Sequence, residues 1–501
     1  MAQIFSILAS LFTWENLLFI NIGLAAGIMV GALPGLNSAI GVALLLPLTY
    51  GMDATTGVLL LLGAYCGAVY GGSITAILIK TPGTPAAAAT LLDGNTLAER
   101  GHAGIALDAA LKASVFGGIF STLLLLFIAP QLAKIALHFG PAEYFSLAVF
   151  GLTIISGISG KSIGKGLLMG VLGLLITTVG VDKISGTTRF TFGVRELWSG
   201  ITTIPVMVGL FAVSELIVKV KNGEAKREQA MHYTAEHLPF KEFFSHTKTL
   251  TKSSIIGSLV GAVPGTGASI AAFMSYNEAK RSSKKPEEFG TGCIEGILAP
   301  ESANNAVTGS AMIPLLTLGI PGDTVTAILI GALMMQGIVP GPRLFVEQSH
   351  WVYSVILGLL IVNIFMFLQG KVFIKGFVQV TRVPQKILVP ILLVICVIGA
   401  YAANNSTFDI LIVVAFGIIG YFFQRLGFPL TPMVIALVLG PLAEENMRRA
   451  LLLSDGNFAT FITRPISAAF LLISLATILW PLAKRVLNKK KANRAEGQNE
   501  N

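Results

Sequence analysis

The sequence predicts an all-α, polytopic membrane protein built from two inverted-topology repeats with broken, re-entrant helices. Three observations support this prediction: long apolar stretches, few charges, and Pro-Gly motifs that recur in the two halves of the chain. Of the 501 residues, 53% are hydrophobic and 12% are charged, whereas about 25% are charged in a typical soluble domain. The mean hydropathy is +0.76. These values exclude an ordinary soluble protein.

Long apolar stretches match the bilayer core, which an α-helix crosses in about 20 residues. The clearest of them are 16–34, 57–79, 113–130, 351–368 and 463–481. All apolar stretches together predict roughly 11 to 13 membrane segments, a pattern unlike the short alternating strands of an outer-membrane barrel. The first residues lack the basic region and cleavage site of a signal peptide, so we expect the first apolar segment to remain in the protein.

One polar interruption divides the chain. We expect an N-terminal membrane repeat over 1–218, a polar cytoplasmic connector over 219–252, a C-terminal membrane repeat over 253–487 and a disordered basic tail over 488–501. The net charge is +9, and the connector and tail are rich in lysine and arginine. The positive-inside rule places both segments, and therefore the C-terminus, in the cytoplasm. Because these basic residues flank apolar segments, we expect solvated charges beside membrane lipid and no binding of nucleic acid.

The residues typical of catalytic and metal sites are scattered. Three cysteines and six histidines show no spacing of a disulfide framework or a metal site. The string "GISG" at 157–160 is similar to a motif of intramembrane serine proteases. Such a site needs a histidine on a facing membrane helix, and the histidines after this string lie in or beside polar loops. We therefore expect neither an enzyme nor a cofactor.

An internal repeat links the two halves of the chain. The string "GALPGLNSAI" at 31–40 has a near copy, "GAVPGTGASI", at 261–270. Two further pairs follow in the same order, so that Gly72-Ser73 matches Gly309-Ser310 and Pro82-Gly83 matches Pro321-Gly322; the three pairs lie 230, 237 and 239 residues apart. Three collinear matches indicate a repeat. Its inverted orientation is inferred from transporter architecture, since direct repeats would give the same spacing.

The Pro-Gly motifs predict a binding site. Proline and glycine break helices, and a bilayer tolerates broken helix only where it is buried or lines a cavity. Transporters use such breaks, because half-helix N-termini attract anions and free carbonyls coordinate Na⁺. Hydroxyl and amide groups beside the breaks would bind carboxylates. The predicted substrate-binding residues are Asn37, Ser38, Ser73, Lys80, Thr81, Thr84, Thr266, Ser269, Ser310, Asp323 and Thr324. The alternative is that the small residues only allow close helix packing.

Two features of this set have alternatives of their own. Lys80 follows an apolar run and could meet a substrate carboxylate, or its ammonium could extend to the membrane interface. The run "APESANNAVTGS" at 299–310 is rich in the oxygen groups that a hard cation prefers, although Glu301 and Ser302 could instead cap a helix. The predicted cation-binding residues are Gly35, Gly265, Glu301, Asn304 and Asn305.

Four long motifs resemble a known family. The strings "GALPGLNSAIGVALLLPLTYGM", "YGGSITAILIKTPGTPAAAATLLDG", "GPAEYFSLAVFGL" and "APESANNAVTGSAMIPLLTLGIPG" are similar to the large membrane subunit (TctA type) of tripartite tricarboxylate transporters, and the similarity covers about residues 15–480. The resemblance implies a secondary transporter that imports citrate-like di- and tricarboxylates across the bacterial inner membrane, driven by a gradient of Na⁺ or H⁺. It also implies two partners, a small membrane subunit and a periplasmic solute-binding protein that delivers the substrate.

Two classes of function are compatible with these sequence features. One is a gradient-driven carboxylate importer, and the other is a binding or scaffold protein of the inner membrane that transports nothing. An ion channel would need a continuous polar lining, whereas repeated breaks favour a closed central site.

Overall fold

The computed structural model describes residues 2–33, 36–153, 163–182, 184–222, 236–265, 267–380 and 385–477. Regular structure in these ranges is helical, apart from one antiparallel hairpin of β1 (Gly180–Val181) and β2 (Thr188–Arg189). The all-α class is therefore confirmed. Some predicted features lie outside the described ranges, namely Gly35, Thr266, the string at 157–160 and the tail at 488–501.

The chain forms two compact units, of which the first comprises Met1–Leu137 and Thr202–Gly427. Its N-terminal helices are α1 (Ala2–Leu11), α2 (Trp14–Gly31), α3 (Ser38–Leu45), α4 (Ala54–Ile79), α5 (Ala87–Leu97) and α6 (Ala103–Ala136). The helices that follow residue 202 are α9 (Thr203–Met207), α10 (Ser214–Asn222), α11 (Phe240–Ser245), α12 (Thr247–Ala262), α13 (Gly267–Ser282), α14 (Glu295–Ser310), α15 (Met312–Leu318), α16 (Thr324–Met335), α17 (Leu344–Glu347), α18 (Ser349–Val380), α19 (Gln385–Asn404) and α20 (Thr407–Arg425). A π-helical stretch, Val208–Val213, joins α9 to α10.

The second unit comprises His138–Ile201 and Phe428–Asn501. It contains the hairpin and the helices α7 (Pro141–Thr153), α8 (Ile163–Thr177), α21 (Thr431–Leu453), α22 (Thr460–Thr463) and α23 (Pro465–Thr477). Ion pairs join the hairpin to α21, since Arg189 Nη1 lies 2.6 Å from Glu444 Oε1 and Arg448 Nη1 lies 2.5 Å from Asp182 Oδ2. This network holds the hairpin against the helix.

Six helical segments of the described chain are long and apolar enough to cross a membrane. They are Trp14–Gly31, Ala54–Ile79, Ala87–Ala136, Thr203–Lys221, Ser349–Phe377 and Thr407–Arg425. Five shorter apolar helices of 10–17 residues accompany them. These findings confirm a polytopic membrane protein, while the count of roughly 11 to 13 segments stays a prediction.

The helix α4 is buried along its length. Every residue from Thr56 to Leu78 is buried, which agrees with a sequence that is apolar on all faces. Asp53 caps the start of the helix, since its carboxylate accepts a hydrogen bond from the backbone N–H of Thr55 at 2.9 Å. Lys80 follows its last residue and has a left-handed φ of +56°. This helix is therefore surrounded by protein rather than lipid.

Close glycine packing occurs in both halves of the chain. A Cβ at Gly27 of α2 would lie 2.4 Å from the carbonyl oxygen of Ala64 on α4. Likewise, a Cβ at Gly257 of α12 would lie 2.2 Å from the carbonyl oxygen of Ala303 on α14. Small residues allow membrane helices to approach in this way. The same kind of helix pair thus flanks the first Pro-Gly motif of each half, and the inverted orientation of the two halves stays a prediction.

The predicted helix breaks are confirmed at the three Pro-Gly motifs that the structure describes. The interrupted helix pairs are α4 with α5, α12 with α13, and α15 with α16. The backbone of each of these motifs therefore has no continuous helix to satisfy its hydrogen bonds. The motif Pro34-Gly35 lies outside the described residues.

The polar connector is partly docked on the first unit. Lys112 and Asp108 form a buried ion pair on α6, with 2.6 Å between Nζ and Oδ2. Lys112 donates to the carbonyl oxygen of Leu238, and the backbone N–H of Leu238 donates to Asp108 Oδ2 at 3.0 Å. Helices also extend into both ends of the connector, as α10 and as α11 with α12. The predicted repeat boundaries at 218 and 253 stay predictions.

Candidate functional site

The helix α14 carries the largest set of buried polar side chains. All its residues from Gly296 to Ser310 are buried. The polar ones are Glu301, Ser302, Asn304, Asn305, Thr308 and Ser310. Buried polar groups cost free energy unless they find partners, and such groups at membrane depth are functional candidates. The partners of these side chains therefore decide what the helix can do.

Glu301 is held by two hydroxyl groups from other helices. Thr90 of α5 donates to Oε1 at 2.5 Å, and Ser114 of α6 donates to Oε2 at 2.9 Å. The carboxylate is completely buried, and no described lysine, arginine or histidine forms an ion pair with it. The site thus contains a carboxylate that is hydrogen-bonded but not balanced by a basic side chain.

Asn304 and Asn305 are both 1% exposed. Asn305 donates from Nδ2 to the carbonyl oxygen of Glu301 at 3.1 Å. Its Oδ1, and both amide atoms of Asn304, have no hydrogen-bond partner among the described residues. Leaving a buried donor or acceptor unpaired costs about 1–3 kcal/mol. These atoms are therefore available to a ligand, an ion or water.

The second pair of Pro-Gly breaks is joined directly. The backbone N–H of Gly265 donates to the carbonyl oxygen of Gly322 at 2.8 Å. Gly265 has a φ of +83°, a conformation that glycine adopts without strain. In the first half, a Cβ at Gly83 would lie 2.0 Å from the carbonyl oxygen of Gly31. The second pair of breaks thus meets directly, and the break at Gly83 packs against the end of α2.

Asp323 connects a break to the buried helix α4. Its Oδ1 accepts from the backbone N–H of Thr326 at 2.8 Å and caps α16, and its Oδ2 accepts from Tyr65 of α4. The next residue on α4, Cys66, has its Sγ 3.8 Å from the hydroxyl of Thr308 on α14. Neighbouring residues of α4 therefore contact both the break at Asp323 and the polar helix.

The other described members of the predicted substrate set divide into four groups. Asn37 caps α3 by accepting from the backbone N–H of Ile40 at 3.0 Å. Ser73 and Ser310 are buried and donate within their own helices. Thr84 is buried, and its hydroxyl has no partner among the described residues. The half-buried members are Ser38, Ser269 and Thr324.

Lys80 and Thr81 are the exposed members of the predicted set. The Lys80 side chain is 57% exposed and its Nζ lies 3.2 Å from Glu99 Oε1. This placement favours the alternative that Lys80 extends to a polar surface. The buried groups of α14 offer a stronger candidate site than this lysine.

Sequence reasoning missed a cavity of about 560 Å³ between α12, α13 and the start of α14. Its basic lining residues are His246, Lys248, Lys252, Lys284 and Lys285. Glu295, at the first position of α14, lines it as well and lies 3.0 Å from His246 Nδ1. Glu278 and Glu288 are further lining carboxylates, and they pair with Lys252 and Lys285. These residues come from polar segments that are indistinguishable in sequence from solvated loops. Lys248 and Lys284 form no ion pair with a described carboxylate and are left to attract an anion.

Sequence reasoning also missed Asp93, which is completely buried on α5. Its Oδ1 accepts backbone N–H groups from Gly290 at 2.8 Å, Gly292 at 2.8 Å and Cys293 at 2.9 Å. Its Oδ2 accepts from Tyr276 at 2.8 Å. Asp93 thus holds the loop that leads into α14. The only sequence signal was an aspartate in the otherwise apolar string "ATLLDG".

The described residues contain no group of three or more His, Cys, Asp or Glu that could hold a metal ion. Cys66, Cys293 and Cys396 are free thiols.

Comparison with known proteins identifies the family. Residues 17–435 match the tripartite tricarboxylate transporter TctA family. Over 476 residues, 95% of each chain, the sequence is 40% identical to an uncharacterized 52.8 kDa protein in the TAR-I ttuC' 3' region of Agrobacterium vitis. It is 39% identical over 234 residues, 47% of this chain and 97% of the relative, to an uncharacterized protein in the TAR-II ttuC' 3' region of the same organism. No solved structure matches. Because the family match covers most of its length, this chain belongs to the TctA family and is a multi-pass membrane subunit of a tripartite tricarboxylate transporter.

Proposed function

We propose that this subunit imports citrate-like di- and tricarboxylates across the bacterial inner membrane and couples the import to a cation gradient, with Na⁺ as the coupling ion. A periplasmic solute-binding protein delivers the substrate, and a small membrane subunit completes the transporter. The C-terminus lies in the cytoplasm. The family match supports the companion subunits, and the buried groups of α14 support the binding of the two ions.

The observation that carries this proposal is the unpartnered amide of Asn304. A side-chain amide offers two donors and an acceptor, so that it suits both a carboxylate oxygen and a cation. Asn304 is buried and uses neither capacity within the described protein. A substrate carboxylate would accept from Nδ2, which would remove the cost of the unpaired donor.

Coupling to a cation is supported by Glu301. A buried carboxylate without a basic partner is costly, and a bound cation or proton would remove that cost. The oxygens of Glu301 and Asn305 lie about one helical turn apart on α14, and oxygen ligands suit hard cations. A bound cation would then place a positive charge beside the amides of α14, and this charge would favour the binding of an anionic substrate there.

The cavity between α12, α13 and the start of α14 supports a route for the substrate. Lys248 and Lys252 belong to the connector that the positive-inside rule assigns to the cytoplasm. Glu295 lines the cavity, and Asn304 lies nine residues further along the same helix, a rise of about 13 Å. A carboxylate released from α14 would therefore pass Lys248 and Lys284, which form no ion pair with a described carboxylate.

The test is uptake of labelled di- and tricarboxylates by proteoliposomes that contain this chain and both partners, with and without a Na⁺ gradient. We expect uptake that depends on the gradient and is lost in Asn304→Leu, with unchanged thermal stability. The matched control is Asn446→Leu, because the half-buried Asn446 donates only within its own helix, to Leu442 at 2.8 Å. Absence of uptake for all substrates would support the scaffold alternative, and equal uptake by Asn304→Leu and the wild type would move the site away from α14.

A further inference from the structure

Two membrane-spanning segments of the first unit run parallel and end together. Thr202, before α9, donates to Asp409 at the start of α20, at 3.0 Å. At the other end, Gln424 of α20 donates to Ser214 of α10 at 3.1 Å, and Lys221 donates to the Tyr421 hydroxyl at 2.8 Å. The C-terminal ends of both segments therefore lie on the same side of the membrane.

These two ends form a cleft of about 340 Å³. Its lining residues are Val218, Lys221, Tyr421, Gln424 and Arg425. The lining thus contains two cations and no carboxylate, and neither cation forms an ion pair with a described acidic residue. Two like charges that converge on one cleft repel each other, so an anion between them would stabilise the arrangement.

The cleft lies at the edge of the apolar segments. Lys221 and Arg425 are the last residues of the spans Thr203–Lys221 and Thr407–Arg425. Beside them, Val220 is 66% and Phe422 is 52% exposed, as expected of side chains that face acyl chains. Cations at helix C-termini complement the helix dipole, but that effect requires neither a shared cleft nor a tyrosine that positions the lysine.

We propose that this cleft, termed the Lys221–Arg425 cleft, binds the phosphate of an anionic phospholipid head group. The Arg425 guanidinium has the fork geometry that pairs with two phosphate oxygens. Lys221, positioned by Tyr421, supplies the second charge, and the acyl chains lie along the exposed apolar surface beside the cleft. Basic pockets between membrane helices on the cytoplasmic side are suited to such head groups. The proposal is independent of the transported substrate.

The test measures lipid retained by the purified full chain with native mass spectrometry, after exchange into phosphatidylglycerol or phosphatidylcholine. We expect phosphatidylglycerol to remain bound and Lys221→Gln/Arg425→Gln to bind it on the order of tenfold more weakly. The charge-matched control is Lys241→Gln/Lys375→Gln, two exposed lysines outside the cleft, which should retain the lipid. Arg425→Lys, which keeps the charge but loses the fork, should be intermediate.

A second measurement distinguishes the source of the phosphate. The melting temperature is measured in phosphatidylcholine alone, with added inorganic phosphate, and with added phosphatidylglycerol. The comparison shows whether free phosphate is enough to stabilise the protein. We expect stabilisation of the wild type by the lipid alone. Equal stabilisation by inorganic phosphate would overturn the assignment of the ligand as a lipid. Equal loss of lipid in the two double variants would overturn the assignment of the Lys221–Arg425 cleft as the binding site.

Discussion

The backbone N–H of Gly265 donates to the carbonyl oxygen of Gly322 across 2.8 Å, which joins two helix breaks that are distant in sequence. A buried backbone N–H needs a partner, and at a break its own helix offers none. In the first half of the chain, Gly83 lies so close to the carbonyl of Gly31 that no side chain fits between them. Gly83 is therefore required by its close backbone contact, and Gly265 by its left-handed backbone.

Substitution of a glycine at a helix break should lower stability far more than substitution of a glycine that has free space around it. Gly83→Ala would place its Cβ 2.0 Å from the carbonyl oxygen of Gly31, so the backbone must shift. We expect a loss of about 1–3 kcal/mol in stability and a loss of carboxylate uptake. Gly376→Ala is the control, because nothing lies within 4 Å of its added Cβ. Equal melting temperatures and equal uptake for the two variants would refute the steric requirement.

The hydroxyl groups on Glu301 should stabilise the contact between α14 and its neighbours. Thr90→Val removes the donor to Oε1 and leaves that oxygen without its hydroxyl partner. A hydrogen bond to a charged group contributes about 1.5–3 kcal/mol, so we expect a loss of this size in the free energy of unfolding. In a double-mutant cycle with Glu301→Gln, the two losses should be less than additive. Strict additivity would show that the pair does not interact.

Breaking the buried ion pair should release the connector. Lys112→Met leaves the buried Asp108 without its charged partner, at a cost of about 3–5 kcal/mol. We expect a lower melting temperature and faster proteolysis near residue 238. The double variant Asp108→Leu/Lys112→Met should recover thermal stability. It should not recover resistance to proteolysis near residue 238, because Leu238 has lost both hydrogen bonds. Lys285→Met, in an exposed pair with Glu288, is the control and should change little.

The second unit should show a defined dependence on pH. The guanidinium of Arg448, with the backbone N–H of Ile184, lowers the pKa of the Asp182 carboxyl below its ordinary value. The resulting stabilisation is fully present above the unfolded pKa of about 3.9 and is lost as the pH falls through the lower, folded value.

We therefore expect Asp182→Asn to melt below the wild type by a constant margin from about pH 8 to pH 5, and by a shrinking margin below about pH 4. The exposed Asp455 of the same unit provides the control, Asp455→Asn, which should melt like the wild type across this range. A margin that widens as the pH falls would contradict the assignment. Thermal unfolding over a pH series is the measurement.

Much of the site could be predicted from local chemistry. The Pro-Gly motifs identified the three breaks that the structure describes, because proline and glycine disrupt a helix whatever surrounds it. The run at 299–310 identified Glu301 and both asparagines as candidates, because polar side chains between apolar segments are costly without a role.

Other features depended on contacts between distant segments. Spacing alone cannot show that Ser310 donates within its own helix whereas Thr90 donates to Glu301 on another. It likewise gave no indication that Asp93 holds a loop near residue 290, or that Lys80 is exposed beside Glu99. Each hydrogen-bonding group has several possible partners in an unfolded chain, and only packing selects among them.

The sequence by itself determined the membrane class, the helix breaks and the family, because hydrophobicity, backbone geometry and motif identity are local properties of the chain. The tertiary structure decided which buried polar atoms are satisfied and which, like the amide of Asn304, are left for a ligand. That distinction depends on the distances between atoms of different helices, since a hydrogen bond is lost when its partners are moved apart by about an ångström.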